Sequence, residues 1–60
     1  MKFIGKEGEA FEYAKRQVLA FGVEHYIILL NGEWWVSSAP PSGAPETIKM
    51  YPDGSTIRLW

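Results

Sequence analysis

The chain of 60 residues contains no cysteine. That excludes disulfide staples and thiolate metal sites. It has a single histidine, so a zinc site would have to be assembled mostly from carboxylates, a poor donor set for that ion. No metal or cofactor is expected. Charge of one sign is also lacking: six Lys and Arg face seven Asp and Glu, for a net charge of −1. Such a balance gives neither the basic footprint of a nucleic-acid binder nor the strong acidity of a nucleic-acid mimic. No apolar run reaches the roughly 18 residues of a membrane-spanning helix, so no membrane partner is expected. Lys2 and Lys6 are followed by no apolar segment of the kind a signal peptide carries. These absences fit a cytoplasmic protein. Met1 at the start and the lack of any tag suggest a complete short gene product, of a kind common in bacteria and phages.

A chain this short buries only about 60% of its unfolded surface and is marginal alone. Disulfides and metals are the usual remedies for small size, and oligomerisation is the third. Only the third remains. A hydrophobic fraction of 47% and three Trp argue for a folded chain.

The strongest local signal is Tyr26-Ile27-Ile28-Leu29-Leu30-Asn31-Gly32-Glu33-Trp34-Trp35-Val36. Asn-Gly between apolar runs predicts a two-residue type I′ hairpin. That turn sets the pairs Leu30–Glu33, Leu29–Trp34, Ile28–Trp35 and Ile27–Val36. Side chains alternate across a strand. One face therefore carries Ile27, Leu29, Trp34 and Val36, and the other Tyr26, Ile28, Leu30 and Trp35. Both are apolar, yet one thin layer covers only one. The second face, Tyr26, Ile28, Leu30 and Trp35, is the candidate protein-interaction surface, because exposed apolar patches mark interfaces. The competing expectation is that the Pro-rich loop, or an N-terminal strand carrying Phe3, folds over it.

A helix is predicted over residues 9–21. Phe11, Ala14, Val18 and Phe21 form one stripe, flanked by Ala10. Glu12 precedes Arg16 by one turn, the favourable order for an ion pair. Glu7 and Glu9 suit the N-terminal dipole. No Ser, Thr, Asp or Asn caps the start, whereas Gly22 is a natural left-handed stop. Residues 2–4 are predicted as a short edge strand. Residues 39–45 hold three prolines and a glycine and read as a loop.

A second hairpin covers residues 46–60, and here two rules conflict. Pro52-Asp53-Gly54 is good chemistry for a three-residue loop with a glycine bulge. That register pairs Met50 with Thr56 and Lys49 with Ile57, mixing the faces. An even loop pairs Met50 with Ile57, Ile48 with Leu59 and Lys49 with Arg58. A one-residue slip inverts a whole face, so the face pattern favours the even loop.

The predicted fold is α+β and a single domain: one amphipathic helix on a four-stranded antiparallel meander of two hairpins, with a short N-terminal edge strand. The expected core is Phe11, Ala14, Val18, Phe21, Ile27, Leu29, Trp34, Val36, Ile48, Met50, Ile57 and Leu59.

Candidate sites are few. Lys49, Tyr51, Arg58 and Trp60 share the outer face in the even register, and basic residues among aromatics can hold single-stranded nucleic acid. Gly5-Lys6-Glu7-Gly8 resembles a backbone-clamping loop, but Glu7 would repel phosphate, and a strand-to-helix turn explains it. His25 starts a strand within reach of Ser38, yet no acid or oxyanion donor joins them. Tyr13 lies on the polar side of the helix. The expectation is therefore a small non-enzymatic interaction module, a homodimer or one docking a protein partner. Nucleic-acid binding is the alternative. The only enzyme worth entertaining would share its site between subunits.

Overall fold

In the computed structural model, which describes residues 1–43 and 45–59, helix α1 spans Glu7–Phe21. Gly22 ends it in the left-handed region, at φ 68°, and its N–H donates to the Val18 carbonyl at 2.9 Å. A residue without Cβ takes that conformation at little cost. The start is one without a side-chain cap, as expected: Lys6 holds the N-cap position. The helix nevertheless begins at Glu7 and not Glu9, with both carboxylates in its first turn, where the backbone N–H groups favour negative charge.

Five strands form one antiparallel sheet: β1 (Lys2–Phe3), β2 (His25–Leu30), β3 (Glu33–Ser37), β4 (Glu46–Met50) and β5 (Thr56–Arg58). The α+β class, the two hairpins and the N-terminal edge strand are all present. The β2–β3 register pairs Leu30 with Glu33 through Ile27 with Val36, as the Asn-Gly turn predicts. Asn31 and Gly32 have φ of 52° and 76°, the positive values a type I′ turn demands.

The strand order is β1-β3-β2-β4-β5. This differs from a simple meander, in which β4 would lie beside β3. Instead β4 pairs with β2, matching Ile27 with Ile48 and His25 with Met50. Two parallel crossovers result. One runs from β1 through α1 to β2, with β3 between them. The other runs from β3 through residues 38–45 to β4, with β2 between them. The helix covers the face that carries Ile27, Val36 and Met50.

The core follows from this. Ala10, Ala14 and Val18 of the helix are fully buried against Ile27, Val36 and Met50. The two alanines let the helix approach closely, and Phe11, Trp34 and Ile48 seal the margin half-buried. Ile28, on the far face, is also fully buried. Burying such a side chain is worth about 1.5–3 kcal/mol, so the far face contributes to stability as the helix face does.

Four expected core residues lie outside it: Leu29 is half-buried away from the cluster, and three are exposed. Phe21 is 68% exposed. It lies in the last turn of the helix, next to the Gly22 stop. Ile57 and Leu59 are exposed because the second hairpin takes the other register, pairing Lys49 with Ile57 and Met50 with Thr56. The expectation of an even loop is corrected: Gly54, at φ 90°, makes the bulge, and its N–H donates to the Tyr51 carbonyl at 2.8 Å. Asp53 Oδ1 accepts from both the N–H and the hydroxyl of Ser55, at 2.9 and 2.7 Å. Those bonds, chiefly the hydroxyl, hold the Asp53 carboxyl below its ordinary pKa. The turn satisfies its own polar groups, and at a sheet edge that outweighs the face pattern.

Candidate functional site

The face opposite the helix is built by alternate residues of every strand. β2 supplies Tyr26, Ile28 and Leu30, and β3 supplies Trp35 opposite Ile28. All four residues expected there share that face, but differ in burial. Ile28 is sealed, Tyr26 and Trp35 are half-buried, and Leu30 is exposed. Ile28 is fully buried although strand alternation places it on the face away from the helix. From β1, the Phe3 ring meets Trp35 at 5.1 Å between centroids. The surviving apolar surface is therefore a rim. Phe3 stands at one edge, and Leu30 at the Asn-Gly end. Ile57 and Leu59 stand at the β5 edge, and all four are exposed. Trp35 Nε1 is buried with no hydrogen-bond partner among the described residues, a loss that ordinarily costs about 1–3 kcal/mol.

The basic and aromatic set is divided. Lys49 and Tyr51 are neighbours, with the ammonium 5.0 Å from the ring centroid. Lys49 also lies 3.8 Å from a Glu24 carboxylate oxygen. Arg58 pairs with Ile48, on the helix face, and so points away from Lys49, which pairs with Ile57. The expectation that Lys49 opposes Arg58 is thereby corrected, with the register as the cause. Trp60 lies outside the described residues. Gly5-Lys6-Glu7-Gly8 joins β1 to α1 as a strand-to-helix turn, with Gly5 at φ 94°.

A second feature escaped the sequence reading. Beside the last turn of α1 lies an open cleft of about 500 Å³. Met1, Phe21 and Val23 form its apolar rim, and Tyr13, Val36 and His25 line it more deeply. Tyr13 is half-buried and packed against the core, not set on a polar face. Lys2, Gln17, Ser37 and Ser38 complete the wall, so His25 and Ser38 do meet one space. His25 is 6% exposed. Its Nδ1 lies 3.1 Å from the Val23 carbonyl oxygen. A carbonyl only accepts, so Nδ1 carries the proton. The legible sign of this cleft was Phe21 itself, an apolar stripe residue set immediately before the Gly22 stop.

No helix among the described residues is long and apolar enough to cross a membrane. Comparison of the chain with protein-family profiles, with curated proteins and with solved structures returned no match.

Proposed function

We propose that this protein is a small non-enzymatic interaction module that self-associates through the β5 edge and the apolar rim beside it. One observation carries the reading. The apolar side chains left exposed on the far face include Ile57 and Leu59, which belong to the terminal strand and the residue after it. A terminal strand offers unpaired N–H and C=O groups on its outer side and is a template for another strand. Exposed apolar residues next to such an edge add the burial that backbone pairing alone lacks. A two-fold axis at Ile57 would oppose Ile57 with its own copy and Arg58 with the copy's Thr56. Like charges are thus kept apart, and the net charge of −1 opposes contact little. Leu30 and Trp35 extend the same face inward. The reading includes a cytoplasmic setting, on the ground that the chain has no cysteine.

Sedimentation equilibrium at about 10 µM tests it, since a dimer with a Kd of about 1 µM is well populated there. The wild type is expected to run as a dimer. Ile57→Lys is expected to run as a monomer with unchanged far-ultraviolet dichroism, because Ile57 is outside the core. A wild type that is monomeric at that concentration overturns self-association.

A further inference from the structure

The chain's one asparagine and its one aspartate each stand before a glycine, in the two hairpin turns, Asn31-Gly32 and Asp53-Gly54. Asn is a thermolabile residue, most of all before Gly. There the glycine backbone nitrogen closes on the side-chain carbonyl carbon of the residue before it, and no Cβ stands in the way. We infer that Asn31 is a site of spontaneous modification in the folded protein, deamidated by the Gly32 backbone nitrogen, and that Asp53 is spared. Three observations carry this. First, the nucleophile is held at one turn and free at the other. The Gly54 N–H donates to the Tyr51 carbonyl at 2.8 Å, whereas the Gly32 N–H makes no turn hydrogen bond among the described residues. Second, the electrophiles differ in the same sense. Asp53 Oδ1 accepts from the Ser55 N–H and hydroxyl at 2.9 and 2.7 Å, and these bonds favour the carboxylate, which is a poor acyl donor. The Asn31 side chain is exposed and has no hydrogen-bond partner among the described residues. Third, the space around Gly32 is open: a Cβ placed there would meet nothing within 4 Å. Water and base therefore reach the turn.

Water is the only co-reactant. Base takes the Gly32 amide proton, the nitrogen bonds to Asn31 Cγ, and the bond from Cγ to the side-chain nitrogen breaks. Ammonia leaves, carrying the proton. Water then opens the cyclic imide. Cleavage at one carbonyl gives aspartate. Cleavage at the other gives isoaspartate, in which the main chain runs through Cβ and Cγ. Either product adds one carboxylate and takes the net charge from −1 to −2. The fold distinguishes the two products. Asp-Gly also suits a type I′ turn, and Asp tolerates the φ of 52° found at Asn31. Isoaspartate inserts a methylene between Leu30 and Glu33, the pair that closes the hairpin. That pair sets the register that buries Ile27 and Val36 against the helix, and a slip turns such side chains outward. The isoaspartyl product is thus a one-way lesion in the central hairpin.

The test is to age the intact chain at mildly alkaline pH, folded and in guanidinium, and to map its peptides by fragmentation that separates aspartate from isoaspartate. In the folded chain, residue 31 is expected to convert at no less than about a tenth of its rate in guanidinium, since opening a turn with no bond to the Gly32 N–H costs at most about 1.4 kcal/mol. Folding is expected to slow isomerisation at Asp53 by a larger factor. Ion exchange should resolve an aged fraction with one added negative charge. Its isoaspartyl form is expected to unfold at lower denaturant than Asn31→Asp, the standard for the other product. Asn31→Gly leaves Gly-Gly, which also suits the turn, and is expected to yield no such fraction and to keep its unfolding midpoint on ageing. Conversion at residue 31 slower than about a tenth of the unfolded rate overturns the inference. So does isomerisation at Asp53 that folding slows no more than it slows deamidation at Asn31. An isoaspartyl form as stable as Asn31→Asp overturns the lesion.

Discussion

The two hairpins use the same architecture under different constraints. In β2–β3, turn chemistry and face pattern agree: Asn31-Gly32 sets the register that places Ile27 and Val36 together beneath the helix. In β4–β5 they disagree, and the turn prevails. Pro52-Asp53-Gly54 forms its bulge, and Ile57 and Leu59 face outward. The difference lies in where each hairpin sits. β2 is central, flanked by β3 and β4, and a slipped register there would eject fully buried side chains. β5 is terminal and all three of its residues are exposed. A slip there changes little burial, so a few local hydrogen bonds decide it. Hydrophobic pattern is strong evidence where both faces are covered and weak evidence at an edge.

Truncation gives the largest contrast between the hairpins. Ile28→Ala is expected to cost about 2–5 kcal/mol, as much as Ile27→Ala, because both side chains are fully buried. Ile57→Ala, at an exposed edge position, should stay within about 0.5 kcal/mol. Urea unfolding of the three variants at a concentration where the chain is monomeric measures this. Equal losses at Ile28 and Ile57 would remove the distinction between centre and edge.

A smaller effect is expected at the turns. Both Gly32 and Gly54 have positive φ, and Ala at either should cost about 1 kcal/mol or more. Here the hairpins should behave alike, since the strain is local. A Gly54→Ala variant as stable as the wild type would show that the bulge is not what sets the β5 register. Trp35→Phe sharpens the comparison from the central side. It keeps a ring against Phe3 and removes the buried, unpartnered N–H. Thermal unfolding should show a change within about 1 kcal/mol, of either sign, where an ordinary large-to-small core change costs more.

The smallest effect concerns pH. The folded-state pKa of Asp53 is lowered, first by the Ser55 hydroxyl and then by its backbone N–H. A depressed carboxyl stabilises the fold above its unfolded value of about 3.9 and loses that contribution as pH falls through the folded value. The turn should therefore weaken slightly below about pH 4. Asp53→Ala should be a little less stable near neutrality and lack that part of the acid dependence. Chemical unfolding of the pair across that range checks the sign.

Local chemistry alone was enough for several features. Gly22 stopped the helix, Asn31-Gly32 fixed the first hairpin, and the stripe of Phe11, Ala14 and Val18 with Ala10 beside it named the helix face that is buried, though its last member, Phe21, is exposed. Each is a short-range rule with no competitor nearby. The candidate interaction face was legible as well, down to its four residues, since strand alternation needs only the register. What those residues experience was not legible. Whether Ile28 is sealed depends on β4 lying beside β2, and that turns on the path of an eight-residue connection whose own sequence specifies only that it is neither helix nor central strand. The cleft beside Phe21 is lined jointly by β1, α1, β2 and β3, and the separation of Lys49 from Arg58 follows from an edge strand with little to bury. Burial is a property of pairs of elements. A periodic stripe states which side chains point inward, and only the assembled layers decide whether anything is there to meet them.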